Sequence, residues 1–418
     1  MSTETCPHCR TATTTLGNAE PWCARCEWNL DAYDRFRRRP EFGWAWVDRR
    51  LHRLAFRLAR GQFAKLVKAD LARRANLPRI VVIAVSLVLL GIFAAMVAGG
   101  VLLVLRDFPS WWLAPGLILL AVAWLLRPRL GRLSDLDGWE MSRDEAPGLY
   151  ALLDEVAGAV GTATPPAVLV TEDVNAFTTN VGFRRRRVLV LGLPLWAVLQ
   201  PQERVALLGH EFGHFVNGDT RRSLLVQPAL SMLGNAAMLV RPGHESAGGS
   251  FLTLLAELVA RAALSVLSKI LLLGHILLLW IGLRDGQRAE YQADALAAKV
   301  AGTAAALGLA EVLAAAEVVD MLVRRDARAG HGPDTWRASV TESSVRGGGE
   351  RTATRLQLTI REDASMFATH PPRGLRARML RERTFATPTV TLTPARAEAI
   401  EKELAREYES ARRELKNA

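Results

Sequence analysis

Cysteine is scarce in this chain, with four residues among 418. They form two Cys-x-x-Cys pairs, Cys6 with Cys9 and Cys23 with Cys26. Since no cysteine remains elsewhere, a scattered disulfide framework is excluded. The first thirty residues also lack the basic start and apolar core of a secretory signal peptide, so none is expected here.

Acidic residues are outnumbered as well, because 42 Asp and Glu stand against 53 Lys and Arg, a net charge of +11. Much of the basic excess lies before residue 80 and around residue 130, next to long apolar runs. Half of the residues are hydrophobic, and the mean hydropathy is positive at +0.11, which is unusual for a purely soluble protein. This placement points to a lipid bilayer as partner and makes nucleic acid an unlikely one.

The segment 1–30 is predicted to be a small zinc ribbon. Its two pairs, Cys-Pro-His-Cys and Cys-Ala-Arg-Cys, supply four thiolates in tetrahedral array, and a unit this small needs the metal in order to fold. A redox-active dithiol is the alternative, although one pair would serve for that, and His8 is a possible substitute ligand. We expect a structural zinc ion at Cys6, Cys9, Cys23 and Cys26.

The segment 31–79 is basic and interleaved with aromatic residues such as Trp44, Trp46 and Phe56. This pattern indicates amphipathic helices lying on a membrane surface next to the first apolar run. A solvated linker helix is the alternative.

A transmembrane hairpin is predicted for residues 80–127. Ile80 to Leu105 carries no charge and is long enough to cross a hydrocarbon core of about 30 Å. Trp111 to Leu126 is shorter and has tryptophans where an interfacial belt would lie. Basic flanks on both inner sides place the N-terminus and the chain after Arg127 in the cytoplasm, a reducing compartment in which thiolate ligands survive.

A catalytic region of the α+β class, mainly helical, is predicted to begin at residues 133–222. A helix over Ala146 to Val160 precedes two short strands, Ala167 to Val170 and Arg187 to Leu191. Pro201 then starts a helix that contains the sequence His-Glu-Phe-Gly-His.

A second apolar pair occupies residues 223–283, and the catalytic region resumes over 284–392. Phe251 to Leu283 is interrupted by charge and could be a span, a re-entrant pair or a buried helix. Gly330 to Glu350 is predicted to be a mobile loop because it is rich in glycine, serine and charge. The last segment, 393–418, reads as an amphipathic helix capped by Thr393.

His210 and His214 stand four residues apart on this predicted helix, so they project from one face and can share a tetrahedral ion. Glu211 follows the first histidine and can reach a water held by that ion. Such an arrangement suits peptide hydrolysis, with Glu211 as general base. The alternative is a helix with two incidental histidines.

The third ligand decides between these interpretations. Glu290 and Asp294 are four residues apart on another predicted helix, so Glu290 can complete a His2Glu site and Asp294 can orient a histidine ligand through its free ring nitrogen. A solvated acidic face is the alternative. Weaker candidate ligands are His244, His275 and His331. A site shared by both helices requires that the intervening apolar pair cross the membrane zero or two times.

In these motifs the chain resembles the HtpX-like membrane zinc metallopeptidases, whose wider family includes the CAAX prenyl endopeptidases. The resemblance covers roughly Leu136 to Leu380. It rests on motifs in the family's order: Asn175-Ala-Phe177, Gly192-Leu193, His210-Glu-Phe-Gly-His214, Glu290-Tyr-Gln-Ala-Asp294, and Thr369-His370-Pro371 followed by Arg376.

The resemblance implies a gluzincin-type catalytic domain. Its zinc ligands would be His210, His214 and Glu290, its general base Glu211, and its orienting carboxylate Asp294. The resemblance also implies that the strand Arg187 to Leu191, with Val188 and Val190, is an edge that pairs with extended substrate.

Three further roles come from the resemblance. Asn175 would bind substrate backbone near that edge, with a turn-forming role as the alternative. His370 would donate to the oxyanion, or else serve as a histidine before a Pro-Pro turn. Arg376 would brace the site by pairing with a carboxylate.

These observations predict a multi-pass zinc endopeptidase of the bacterial plasma membrane, cleaving membrane or misfolded proteins in the cytoplasm. The rival is a non-catalytic membrane adaptor that recruits protein or nucleic acid through the ribbon and the basic region. Glu211 argues against the rival, because a structural metal site has no use for a base beside its ligand. No oligomeric state is predicted.

Overall fold

The computed structural model describes residues 5–35, 43–68, 71, 77–128, 131–182, 184–243, 250–343, 349–385 and 387–417, with the backbone alone at 219–224. Two compact units divide the chain. The first comprises Met1–Arg73, Leu133–Thr220 and Gly286–Ala418, and the second comprises Arg74–Arg132 and Arg221–Asp285.

Helices dominate both units. The described residues contain fifteen α-helices: α1 Ala45–Leu66, α2 Leu77–Leu105, α3 Leu113–Leu126, α4 Pro147–Val160, α5 Leu193–Val198, α6 Pro201–Asn217, α7 Asp219–Leu239, α8 Phe251–Ala301, α9 Thr303–Ala314, α10 Ala316–Arg328, α11 Pro333–Glu342, α12 Glu350–Glu362, α13 Arg373–Glu382, α14 Pro394–Glu403 and α15 Ala405–Asn417.

The second unit is built from apolar helices. Among the described residues, α2 and α8 are long and apolar enough to cross a membrane, whereas α3 and the apolar part of α7 are shorter. The most apolar windows of α2 and α8 are only 11% and 6% buried, so they are not the covered core of a soluble domain. The stretch Phe251 to Leu283 lies within the single helix α8, not within a re-entrant pair.

Glycines bring α2 and α3 into close contact. A Cβ on Gly100 would lie 2.7 Å from Leu120 Cγ, and one on Gly116 would lie 2.9 Å from the backbone nitrogen of Val104. Both glycines are therefore required where the two backbones approach.

The first unit contains a four-stranded sheet in the order β1-β2-β4-β3. Its strands are β1 Trp139–Met141, β2 Ala167–Thr171, β3 Ala176–Val181 and β4 Arg186–Gly192. Strands β2 and β4 are parallel, and the outer pairings are antiparallel. The sequence predicted β2 and β4 but neither outer strand.

The prediction that Arg187 to Leu191 forms an edge strand is wrong, because β4 lies between β2 and β3 in the sheet. Val188 is in register with Ala167 of β2 and Thr179 of β3, and Val190 with Leu169 and Phe177. Both valines are buried, at 0% and 3% exposed. Their backbone groups already belong to the sheet, so the edge beside the catalytic helix is β3 instead.

The main core lies between this sheet and the surrounding helices. It includes Trp196, Trp336 and Phe212, all fully buried, together with the inward faces of α4 and α6. The C-terminal segment joins this core as two helices, α14 and α15, which meet at the buried Leu404. Thr393 caps α14 by accepting a hydrogen bond from the Arg396 backbone N–H, as predicted for the helix start.

The prediction of a mobile loop at Gly330 to Glu350 is wrong for residues 333–342. Residues 333–342 form α11, whose Trp336 and Val340 are completely buried. Arg337 of the same helix donates to the carbonyl of Ala197 at 2.9 Å and pairs with Glu401. A buried tryptophan and these two bonds outweigh the turn-forming composition of the surrounding sequence.

Helix α1 belongs to the first unit, where it packs through one face. Phe56 and Ala59 join a cluster with Trp22, Leu358 and Ile360. The His52 ring nitrogen Nδ1 lies 3.1 Å from the carbonyl of Ala364. This face of α1 is covered by protein. The alternative interpretation of a fully solvated linker helix is therefore wrong.

Candidate active site

Helix α6 carries the His-Glu-Phe-Gly-His sequence, and its ends are well defined. Pro201 occupies the first turn, and the Gln200 backbone N–H donates to the Glu203 side chain at 2.8 Å in a capping box. The helix ends at Gly218, whose φ of 71° is left-handed and suits glycine. His210 and His214 are thus one turn apart on a regular helix.

Small residues let α6 approach α8 closely. A Cβ on Gly213 would lie 2.9 Å from Ala293 Cα, and one on Gly209 would lie 3.1 Å from Ala297 Cα. The contacts run in opposite directions along the two helices, so the pair is antiparallel. Because each glycine precedes a histidine, this close contact also sets the position of the histidines against α8.

The described residues bring His210, His214 and Glu290 together as one group of potential metal ligands. The two Nε2 atoms are 3.3 Å apart, and Glu290 oxygens lie 3.7 Å from His210 Nε2 and 3.5 Å from His214 Nε2. Tetrahedral zinc with bonds of about 2.0–2.1 Å places its ligand atoms about 3.3 Å apart. The donor set and its spacing therefore fit zinc.

Asp294 lies against the other nitrogen of the first histidine. Its Oδ1 is 3.0 Å from His210 Nδ1, a separation at which the ring N–H donates to the carboxylate. This contact fixes the tautomer that leaves His210 Nε2 free for a metal. Asp294 is itself 7% exposed, so water competes little for the bond.

Arg376 links the two carboxylates of α8. Its guanidinium donates to both oxygens of Asp294, at 2.6 and 2.8 Å, and its Nη1 lies 3.1 Å from Glu290 Oε2. Burial lowers the pKa of Arg376, but the two carboxylates outweigh burial and hold that pKa above its ordinary value. The structure thus places Arg376 where the resemblance implied a bracing residue.

Glu211 is buried beside the histidines, at 5% exposed. Burial raises the pKa of its carboxyl above the ordinary range, although His210 and His214 lower that pKa in part. A raised pKa brings a carboxylate closer to the value that suits proton transfer near neutral pH.

His370 lies at the same group of residues but reaches solvent. Its Nδ1 is 2.9 Å from Glu290 Oε2, while 59% of its side chain is exposed. An exposed histidine next to a buried ligand is accessible to a molecule that enters from solvent. Two roles were open for His370 from the sequence, donation to the oxyanion and a place before a Pro-Pro turn.

Strand β3 was missed from the sequence, yet it contacts the catalytic helix. The Thr178 hydroxyl donates to the backbone carbonyl of Glu211 at 3.1 Å. In the described sheet β3 is an outer strand, and Phe177 on it is 38% exposed. Asn175 immediately precedes β3, with its carbonyl accepting from the Gly192 backbone N–H at 2.8 Å.

Two other histidines considered as ligands, His275 and His331, lie away from this group. In the second unit, His275 Nδ1 is 3.0 Å from the carbonyl of Leu230. His331 accepts at its carbonyl from the Trp336 indole N–H at 3.0 Å, in the turn before α11. His244 lies outside the described residues.

The four cysteines form a second group of potential metal ligands. Cys6 and Cys26 have their sulfurs 3.5 Å apart, and Cys9 and Cys23 theirs 3.4 Å apart. These distances approach the spacing of about 3.8 Å that Zn–S bonds of about 2.3 Å imply. His8 is exposed, and it does not belong to the group.

Two tight turns hold the cysteines. Arg10 and Glu27, each directly after a Cys-x-x-Cys pair, have φ values of 58° and 60°. Burial raises the pKa of the Cys23 thiol, but hydrogen bonds from the Thr11 hydroxyl and the Cys26 backbone N–H lower that pKa to about 6. A thiol with this pKa is largely the thiolate that a metal binds.

The cysteine segment is anchored to the helices of the first unit. Arg361 of α12, 1% exposed, donates to the carbonyls of Glu20, Asn29 and Leu30. Glu27 pairs with Arg60 of α1 and with Arg378 of α13, two residues beyond Arg376. The segment is therefore part of the same unit as the histidine cluster.

Comparisons with known proteins point to one family. The model of peptidase family M48 matches residues 144–384, a range that includes both histidines of α6 and both carboxylates of α8. Protease HtpX of Pseudomonas putida (strain W619) is 26% identical over 323 residues, which are 74% of this chain and 96% of that protein.

Two further relatives, matched over shorter stretches, have the same or a similar name. Protease HtpX of Chromohalobacter salexigens is 28% identical over 250 residues, 57% of this chain and 72% of that protein. A protease HtpX homolog of Thermococcus sibiricus is 29% identical over 173 residues, 41% of this chain and 57% of that protein. The family match begins well after the cysteine pairs, so the segment 1–30 lies outside it.

Proposed function

The chain belongs to peptidase family M48 and is thus a zinc metalloprotease, and we propose that it is a membrane-embedded endopeptidase with a cytoplasmic active site. Its substrates would be membrane or misfolded proteins. The observation that carries this proposal is the cluster of His210, His214 and Glu290, which has the spacing of a zinc site and has the buried carboxylate of Glu211 beside it.

His210, His214 and Glu290 would hold the ion, and three protein ligands leave one position open. Zinc bound there supplies a water of lowered pKa and a Lewis acid that polarises the scissile carbonyl. Asp294 keeps His210 in the tautomer that binds the metal, through the 3.0 Å contact at Nδ1. Arg376 holds Asp294 and Glu290 in place by its paired hydrogen bonds.

Glu211 would act as the general base. It lies next to the first ligand in sequence and is buried, so its proton affinity is high for a carboxylate. It takes a proton from the attacking water and delivers it to the leaving amine. Because Glu211 is shielded from water, its electrostatic interactions in the site would be stronger than in solvent.

The substrate would add to the sheet as an extended strand beside β3. This strand is the outer one nearest α6, and the hydrogen bond from Thr178 to the Glu211 carbonyl aligns it with the catalytic helix. Backbone pairing gives affinity for any sequence, which suits a protease of misfolded chains. Asn175, just before β3, would bind substrate backbone, and exposed Phe177 would contact a substrate side chain.

His370 would contact the developing negative charge on the scissile carbonyl oxygen. It lies beside Glu290 Oε2, and its exposed ring can swing toward the substrate. A ring N–H of His370 could then donate to that oxygen.

The membrane proposal rests on α2 and α8, whose apolar faces are uncovered by protein. We propose that α2 and α3 form one hairpin, that α7 and the apolar part of α8 form another, and that basic flanks keep both hairpin ends cytoplasmic. An even number of crossings between His214 and Glu290 then keeps all three ligands on one side. The ribbon would hold a second, structural zinc ion at its four cysteines.

The decisive experiment compares casein cleavage by the wild type and by Glu211→Gln, both purified in detergent with zinc. Glu398→Gln is the matched control, because this carboxylate is exposed and its ion-pair partner among the described residues is Lys402 on its own helix α14. We expect Glu211→Gln to retain its zinc and lose cleavage, with the control unchanged. Equal cleavage by both proteins, or no cleavage by a zinc-loaded wild type, contradicts the proposal.

Topology is tested with reporter fusions in a bacterium. Green fluorescent protein after residue 418 should fluoresce, and alkaline phosphatase inserted after residue 243, between the apolar parts of α7 and α8, should be active outside the cytoplasm. The opposite pattern contradicts the cytoplasmic active site, even if proteolysis is demonstrated.

A further inference from the structure

The outward face of α1 is strongly basic, and neither the family match nor the proposed catalysis uses it. Its residues Trp46, Arg50, Arg53 and Arg57 recur at helical spacing and are all exposed. Lys65 and Lys68 extend the same exposed stripe toward the end of the helix. We call this set, from Trp46 to Lys68, the basic stripe.

The opposite face of α1 is already occupied by protein. Asp48, His52, Phe56 and Ala59 are buried. The cluster around Phe56 and Ala59 includes residues of the cysteine segment and of α12, so the helix cannot roll over to hide the stripe. The orientation of the stripe toward solvent is thus fixed by the core beneath it.

Within the part of the chain that the structure describes, no ion pair neutralises the three arginines of the stripe. Asp48 is the only acidic residue of α1, and it is buried on the other face. The described residues form no ion pair with Arg50, Arg53 or Arg57, while Glu20 and Asp31 lie across a cavity beside Arg53. Arginines four residues apart on one helix repel each other. Binding of an anionic partner would reduce this unfavourable electrostatic free energy.

Apolar groups accompany these charges. Trp44 and Trp46 are 66% and 65% exposed at the start of the helix, and Leu54 is 42% exposed beside Arg53 and Arg57. Tryptophan next to arginine is typical of the boundary between headgroups and acyl chains, where an indole has one apolar and one hydrated side.

The position of α1 in the chain, shortly before the apolar helix α2, also favours a membrane partner. Ten residues, 67–76, separate the end of α1 from the first residue of the apolar helix α2. Clusters of lysine and arginine next to a span bind anionic lipid headgroups, with about 1 kcal/mol for each cation near the surface. We propose that the basic stripe of α1 is a docking surface for the anionic headgroups of the bilayer that holds this protein.

The test uses full-length protein carrying Glu211→Gln, so that its result is independent of whether the chain is a protease. The protein is reconstituted in bilayers of phosphatidylcholine alone or of equal parts phosphatidylcholine and phosphatidylglycerol. Lipids brominated near the headgroup quench tryptophans at that depth. Subtracting the Trp44→Phe/Trp46→Phe variant isolates these two indoles from the other nine.

We expect the two indoles to be quenched in the anionic bilayer and much less in the neutral one, with loss of the effect at high salt. Arg50→Gln/Arg53→Gln/Arg57→Gln should lose most of the quenching, whereas the corresponding triple lysine variant should keep it. The lysine variant separates charge from misfolding. The matched control, Arg406→Gln/Arg413→Gln/Lys416→Gln, removes three exposed cations from α15 and should behave as the wild type.

Three results would overturn the proposal. The first is equal quenching in the two bilayers, and the second is unchanged quenching after the arginines are replaced by glutamine. The third is a salt-sensitive change in the fluorescence of the two indoles when single-stranded RNA is added to the protein in the neutral bilayer, which would assign the stripe to nucleic acid.

Discussion

The two groups of potential zinc ligands in this chain differ in origin and in what surrounds them. The four cysteines come from one short segment held by two tight turns, and together they could fill all four positions of a tetrahedral ion. The histidine cluster draws its three potential ligands from two helices far apart in sequence, so it would leave one position open. Each group has a glutamate next to one of its members in sequence, but Glu27 after Cys26 is paired with Arg60 and Arg378. Glu211 instead lies buried beside the two histidines. A closed site stabilises a fold, while an open one with a base performs chemistry.

Glu290→Ala should separate the two groups most sharply. The variant loses a buried charged ligand, so we expect proteolysis to fall to background and zinc content to fall by one ion per chain. The cysteine group should keep its ion. Metal analysis together with casein cleavage checks this result, with Glu398→Ala on α14 as control. An unchanged zinc content would remove Glu290 from the ligand set.

Asp294→Asn should have the next largest effect. The amide keeps the shape of the side chain but weakens its bonds to His210 and Arg376, and loss of such a supporting carboxylate costs about 10–100-fold in metal affinity or activity. Zinc titration with a chelating competitor measures the affinity. An affinity equal to that of the wild type would show that His210 needs no orienting partner.

The double variant Cys23→Ser/Cys26→Ser should affect the cysteine group and spare the histidine cluster. We expect the loss of the other zinc ion and greater susceptibility of residues 1–35 to limited proteolysis, while the histidine cluster keeps its ion and most of its activity. His8→Ala is the control, since this exposed residue stands outside the cysteine group. If the double variant loses both ions, the two sites are not independent.

Gln357→Ala should give the smallest effect. Gln357 accepts from the Trp22 indole N–H at 3.0 Å and donates to the Ala24 carbonyl at 3.1 Å, so it joins α12 to the cysteine segment. Each such bond contributes about 1 kcal/mol. We expect slightly faster proteolysis of the segment without loss of either ion, relative to Glu350→Ala on the same helix. Loss of the ribbon zinc would mean that docking and metal binding are coupled.

The chemistry of the histidine cluster followed from the sequence because helical spacing alone puts His210 with His214, and Glu290 with Asp294, on single faces. That the two faces meet depends on a contact between distant helices, which the sequence offered as one of two alternatives and the family's motif order favoured. The glycines beneath the histidines were present in the sequence, but their role became visible only with their partners on α8.

The sheet order could not be read from local patterns, since pairing is a long-range property. A signal existed nonetheless: Val188 to Leu191 is a continuous apolar run, which is typical of a strand buried on both faces, not of an edge. The polar residues Thr178 to Asn180 fit an outer strand better. The misjudged segment at Gly330 to Glu350 had a similar signal, because Trp336 is too large and apolar to be left in a solvated loop.

The packing of Gly213 affects how the His-Glu-x-x-His pattern should be interpreted in this protein. The two positions written as x are not free, because Phe212 is fully buried in the core and a Cβ on Gly213 would collide with the α8 backbone. All five letters are thus constrained, three by chemistry and two by shape. Homologues with a larger residue at the fourth letter must space these helices differently, and their third ligand need not lie at the same depth.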